Sequence, residues 1–218
     1  MFLPYRDDNP TRRFAWMTLL LILANGAAFF YQVFGAGGFD DITGQFGLIP
    51  AELASGRNLP NSVYVSPFVT QVTYMFCHGG VSHLGFNMLF LWIFGNNVED
   101  RLGRLNFLFF YLFIGILSGL AFVIASPGLE TPLVGASGAI SGILGAYLIM
   151  FPFARIYVWM IFFVVRMPAL VFLPIWFVMQ ISGLMGSAAG AGGGVAWISH
   201  IAGFVAGMLL FKLFERNR

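Results

Sequence analysis

The chain has 218 residues, 59% of them hydrophobic and only 9% charged, with a mean hydropathy of +0.84. Soluble domains run near 45–50% apolar and about 25% charged, so this composition excludes a soluble globular domain and points to a polytopic membrane protein. A net charge of +2 is too small to imply nucleic-acid binding, and a single cysteine, Cys77, excludes an internal disulfide.

Residues 1–13 are polar and carry Arg6, Arg12 and Arg13. Span one is predicted from Phe14 to Phe34, long enough for a hydrocarbon core of about 30 Å. Its small residues near Ala28 resemble a signal-peptide end, but the apolar run continues through Phe34, so the span is read as retained. Residues 35–75 form a long loop in which Pro50–Ser55, with Pro at its start and Gly56 after its end, reads as a short helix at the interface. Span two is expected over Phe76–Phe94, followed by a charged turn, Glu99-Asp100-Arg101. Span three covers Leu105–Ala125 and span four Ser137–Phe151. Ala154–Met167 reads as an interfacial or re-entrant piece before span five at Pro168–Met185; the alternative is one long kinked span with Arg166 snorkelling. Residues 186–194, almost all Gly and Ala, read as a flexible connector, and span six is expected over Val195–Phe214.

With the N-terminus inside, ten of the eleven cations fall on inside segments and only Arg57 falls outside. The positive-inside rule then requires an even number of spans with both ends cytoplasmic, and six spans fit. On this topology His78, His83 and Asn87 of span two, Ser137 of span four and His200 of span six all lie toward the outer leaflet. A histidine within a span is costly and is a functional candidate by default. Ser137 stands at a helix N-terminus, where unpaired N–H groups and the helix dipole favour negative charge, and Gly135 and Gly138 flank it. That setting suits a nucleophile whose reaction builds an oxyanion. Span four, at about 22 Å, is shorter than the hydrocarbon core, so the loop before it must dip inward, which needs a polar cavity or protein cover. Gly138-x3-Gly142 and Gly203-x3-Gly207 would let spans four and six pack closely and carry His200 toward Ser137.

Gly135-Ala136-Ser137-Gly138, His78-x4-His83-x3-Asn87, His200-x2-Gly203-x3-Gly207 and the Glu99-x-Arg101-x-Gly103 turn together resemble the rhomboid intramembrane serine proteases. The resemblance runs from span one to span six. It implies an all-α polytopic bundle of six transmembrane helices with a short central fourth helix. The membrane domain would be 14–214, between cytoplasmic tails 1–13 and 215–218, in a bacterial inner membrane. It also implies a Ser137–His200 dyad that cleaves transmembrane substrates without metal or other cofactor. Ser137 would be the nucleophile and His200 the general base and acid. The Ser137 N–H, Asn87 and His83 would receive the oxyanion. His78, Gly135, Ala136 and Gly138 would complete the pocket. The sequence departs from the family where many members stack an aromatic on the histidine: the residue is Ser141. It also lacks the Trp-Arg pair that some members carry in the first long loop. With no acidic residue near His200, packing is expected to orient the imidazole.

Rival readings are weaker. A zinc site at His78 and His83 lacks a His-Glu-x-x-His pattern, and five residues on a helix would set the two about 140° apart. No span carries an Asp for an aspartyl protease. Cys77 is on the wrong helix for a thiol nucleophile and reads as a small buried residue. The non-enzymatic alternative is a membrane-protein binder or chaperone-like protein of the same fold.

Overall fold

The computed structural model describes residues 2–59, 65–188 and 197–215. Strand β1 (Phe2–Asp7) leads into helix α1 (Trp16–Phe34). The first loop folds into α2 (Gly38–Phe46), α3 (Pro50–Ser55), α4 (Pro67–Thr73) and a 3-10 turn, Tyr74–Phe76. Pro50 begins α3, and Gly56, at φ +68°, ends it in the left-handed conformation that glycine adopts without a Cβ penalty. Then come α5 (Val81–Leu102), α6 (Arg104–Ala125) and α7 (Ser137–Met150). Strands β2 (Arg155–Met160) and β3 (Phe163–Pro168) precede α8 (Ala169–Ala188) and α9 (Trp197–Leu210), which closes with a 3-10 turn, Phe211–Phe214. Among the described residues, four helices are long and apolar enough to cross a membrane: Trp16–Phe34, Arg104–Ala125, Ala169–Gly186 and Trp197–Phe214. The shorter α7 is buried without a break from Gly138 to Leu148, which makes it the axis around which α5, α6, α8 and α9 pack.

The α7–α9 contact is nearly backbone on backbone. A methyl group added at Gly203 would strike the Gly138 carbonyl oxygen, and one at Gly207 the Gly142 carbonyl oxygen. Small-residue stripes permit this approach, and any larger side chain forbids it.

The segment expected as span two starts later and runs further. Gly79-Gly80, with Gly80 at φ +151°, keep Cys77 and His78 outside the helix. The two histidines therefore do not share a helix. At the other end, Glu99, Asp100 and Arg101 lie within α5. The reason is a capping contact: the buried Glu99 carboxylate accepts from Met17 N (3.0 Å), Thr18 N (2.7 Å) and the Thr18 hydroxyl (2.8 Å). These are first-turn donors of α1 that lack intrahelical partners, and a carboxylate favours that helix end.

A three-stranded antiparallel sheet, in the order β1-β2-β3, joins parts of the chain read from sequence as a polar tail and as an interfacial segment or part of a kinked span. β-Branched and aromatic residues, Ile156-Tyr157-Val158-Trp159 and Phe163-Val164-Val165, account for the hairpin. Ile156 and Val158 face the core, whereas Arg6 and Tyr157 lie on the outer face, the guanidinium 4.1 Å from the ring centroid. Asp7 ties the sheet to the bundle by accepting from Tyr147 Oη of α7 (2.5 Å) and Asn97 Nδ2 of α5 (2.8 Å). Burial pushes its carboxyl up to about 6, against the lowering effect of the tyrosine hydrogen bond. Most of the connector expected at 186–194 lies outside the described residues; α8 itself continues to Ala188.

Candidate active site

The loop before α7 is pinned from two sides. Leu48 and Leu133 exchange backbone hydrogen bonds (3.0 and 2.8 Å), and Gly135 N donates to Tyr74 O (2.9 Å). Tyr74, fully buried, is anchored in turn by donating its hydroxyl to Gly115 O (2.7 Å). Gly135 sits at φ +121°, and a Cβ there would come 2.7 Å from His83 Cε1. Glycine is required on both counts: the dihedral, and the imidazole laid against the backbone. Ala136 is the residue before the helix, and Ser137 is the first helical residue. Its hydroxyl does not cap the helix. It lies 2.7 Å from His200 Nε2 of α9.

Two hydrogen bonds assign the state of His200. Its Nδ1 is 2.9 Å from Oε1 of Gln180, on α8. The Gln180 side-chain Nε2 donates to Trp176 O (3.1 Å), which orients the amide with its oxygen toward the histidine. Nδ1 therefore carries the proton and Nε2 accepts from Ser137. Two indoles flank the ring, Trp176 tilted at 6.5 Å and Trp197 edge-on at 6.1 Å between centroids. Beyond the packing that the sequence predicts for this imidazole, a specific hydrogen bond from α8 holds it. The signal was present, since Gln180 is a lone amide in an apolar helix and is buried at 6% exposure. Ser141 turns away from any such role by donating to Ser137 O (2.6 Å).

Ser137, His200, Gln180, His83 and Asn87 all line one cavity of about 800 Å³, walled by Phe86 and Phe90 of α5 and by Trp176 of α8. His83 Nδ1 accepts from Gly79 N (3.2 Å), which leaves the proton of a neutral ring on Nε2, the edge that faces Gly135. Asn87 Nδ2 donates one hydrogen to His83 O (3.1 Å) and keeps a second. His78 is not among the described residues lining the cavity. It is fully buried behind His83, with ring centroids 5.2 Å apart. Its backbone is clamped to α1, where His78 N donates to Gln32 Oε1 (2.9 Å) and Gln32 Nε2 donates to His78 O (3.0 Å). Gly138 faces away from the cavity, against Ser118 and Ser199.

The Rhomboid domain family matches residues 66–217. The chain is 48% identical over 71 residues to Rhomboid protease GluP of Bacillus subtilis, a stretch covering 33% of this chain and 13% of that protein. It is 36% identical over 97 residues to Rhomboid protein 1, mitochondrial, of Saccharomyces cerevisiae, covering 43% of this chain and 28% of that protein. To the human Presenilin-associated rhomboid-like protein, mitochondrial, it is 31% identical over 101 residues, covering 45% and 26%. Each match thus spans less than a third of the relative's own length.

Proposed function

The chain belongs to the rhomboid family of integral membrane proteins, and we propose that it is an intramembrane serine endopeptidase that cleaves peptide bonds in or near transmembrane segments. The observation that carries this reading is the 2.7 Å approach of Ser137 Oγ to His200 Nε2 inside a cavity of about 800 Å³. His200 Nε2 takes the hydroxyl proton as Ser137 Oγ attacks the scissile carbonyl carbon. The oxyanion is received by the first-turn N–H groups of α7, which have no intrahelical partner, and by the remaining hydrogens of Asn87 Nδ2 and His83 Nε2. His200 then gives the proton to the leaving amine. Water, deprotonated by the same imidazole, hydrolyses the acyl ester and restores Ser137.

Ten of the eleven cations support a topology in which the sheet end is cytoplasmic and the cavity lies toward the outer face. In this reading six helices cross the membrane and the substrate arrives laterally between α5 and α8, both of which wall the cavity. Local unwinding exposes its carbonyls, so small or helix-breaking residues near the scissile bond favour cleavage. The test is cleavage of transmembrane reporter proteins in proteoliposomes. Wild type is expected to cut within or beside the spanning segment, and Ser137→Ala to be inert while unfolding at the same temperature. A folded wild type that binds reporters and leaves them intact over a broad panel would favour the binding-protein reading instead.

A further inference from the structure

The most telling group outside the serine–histidine pair is the amide on α8. Its geometry is unusual for a membrane helix in three respects. Gln180 is buried, its oxygen meets the imidazole at 2.9 Å, and its nitrogen is committed to the Trp176 carbonyl one turn earlier. The second contact fixes the sense of the first. Turning the amide over would leave two N–H groups facing His200 and a carbonyl facing a carbonyl, so the oxygen has one place to point. An acceptor fixed at Nδ1 selects the tautomer whose Nε2 lone pair faces Ser137, and holds the ring plane there.

We propose that Gln180 is a positioning residue for His200, and that the histidine is competent only while α8 is docked against α9. This rests on the protease reading above. The docking contacts are specific. A methyl group at Gly183 would lie 2.5 Å from the Trp197 ring, and Phe177 stacks on Phe204 at 4.7 Å. The opposite side of α8 exposes Val171, Val178, Met179 and Met185, so α9 and α7 supply its protein contacts near the site. An α8 displaced from α9 carries the Gln180 oxygen away, and the ring then loses its acceptor at Nδ1. In the reaction the amide accepts from Nδ1–H throughout, before and after Nε2 takes the serine proton. It neither gains nor loses a proton itself. Its part is that of an orienting group in a hydrolase triad, without the charge that a carboxylate supplies.

The experiment compares wild type with Gln180→Leu, which keeps the volume and removes the acceptor, and Gln180→Glu, which keeps an oxygen at that reach. Steady-state cleavage of a transmembrane reporter is read together with nitrogen-15 spectra of His200 in detergent without substrate. Gln180→Leu is expected to lower kcat by about 10-fold to 10²-fold with KM little changed, a part of the roughly 10²–10⁴-fold that a positioned general base contributes. Its spectrum is expected to shift from the Nδ1–H tautomer toward Nε2–H, whereas Gln180→Glu retains Nδ1–H and most of the activity. An unchanged kcat, an unchanged tautomer, or equal losses in the leucine and glutamate variants would overturn the proposal. Should Gln180→Leu fail to fold, Gln180→Met gives the same comparison. The spectra need no turnover, so a wild type that cleaves nothing would defeat the protease reading while the tautomer still decides the role of Gln180.

Discussion

Asn87 illustrates how much of the site depends on single hydrogens. One of its amide hydrogens is committed to the His83 carbonyl, one turn back, and that contact aims the other into the cavity. Asn87→Ala is expected to lower kcat by about 10²-fold, the scale seen on removing one oxyanion donor; an unchanged kcat on a transmembrane reporter would remove Asn87 from that role. The side chains gathered here were legible in the sequence to unequal degrees. Ser137 and His200 could be paired before any coordinates, because glycine stripes on their two helices leave little else for the helices to do than meet. Gln180 could not be placed, since periodicity does not say which way an isolated amide faces in an otherwise apolar helix. His78 was grouped with His83 by spacing, but Gly79-Gly80 end the regularity on which that spacing argument rests.

At the scale of elements, the α7–α9 seam and the terminal sheet answer to different physics. The seam has no room: Gly203→Leu would drive a side chain into the Gly138 backbone, where nothing can yield. Thermal unfolding in detergent is expected to fall by several degrees and cleavage to be lost with it, and a variant of wild-type stability would contradict backbone-to-backbone packing. The sheet instead carries a titrating latch. Asp7 titrates near 6 rather than at the ordinary value of 3.8 because it is buried, with Asp8 adding a smaller push in the same direction. The native state therefore holds that proton more tightly than the unfolded chain does. The stabilisation is fully present below about pH 3.8 and is lost as pH rises through about 6. Asp7→Asn should flatten that part of the melting-temperature profile between pH 4 and 7, and a wild-type slope in the variant would show that Asp7 is not the titrating group. Sequence patterning missed this sheet for a plain reason: β1 pairs with a strand some 150 residues away, and six-residue apolar runs look alike in strand and helix.

For the molecule as a whole, the arrangement is a short buried helix presenting a hydroxyl, an outer ring of longer helices, and a cavity whose walls include α5 and α8. Composition alone pointed to a helical membrane protein; the irregular first loop, which braces the serine through Tyr74 and Leu48, had no periodic signature to read. If substrates arrive between α5 and α8, a covalent cross-link joining them at the level of Phe90 and Trp176 should abolish cleavage of transmembrane reporters yet leave Ser137 reactive toward a small probe. Unimpaired cleavage would place the route elsewhere. The central claim, that His200 activates Ser137, is tested most directly by mapping the adduct of a fluorophosphonate on the folded protein by mass spectrometry. The account predicts a single adduct on Ser137 that forms in wild type and not in His200→Ala; an adduct on another residue, or labelling at equal rates in the two proteins, would contradict it.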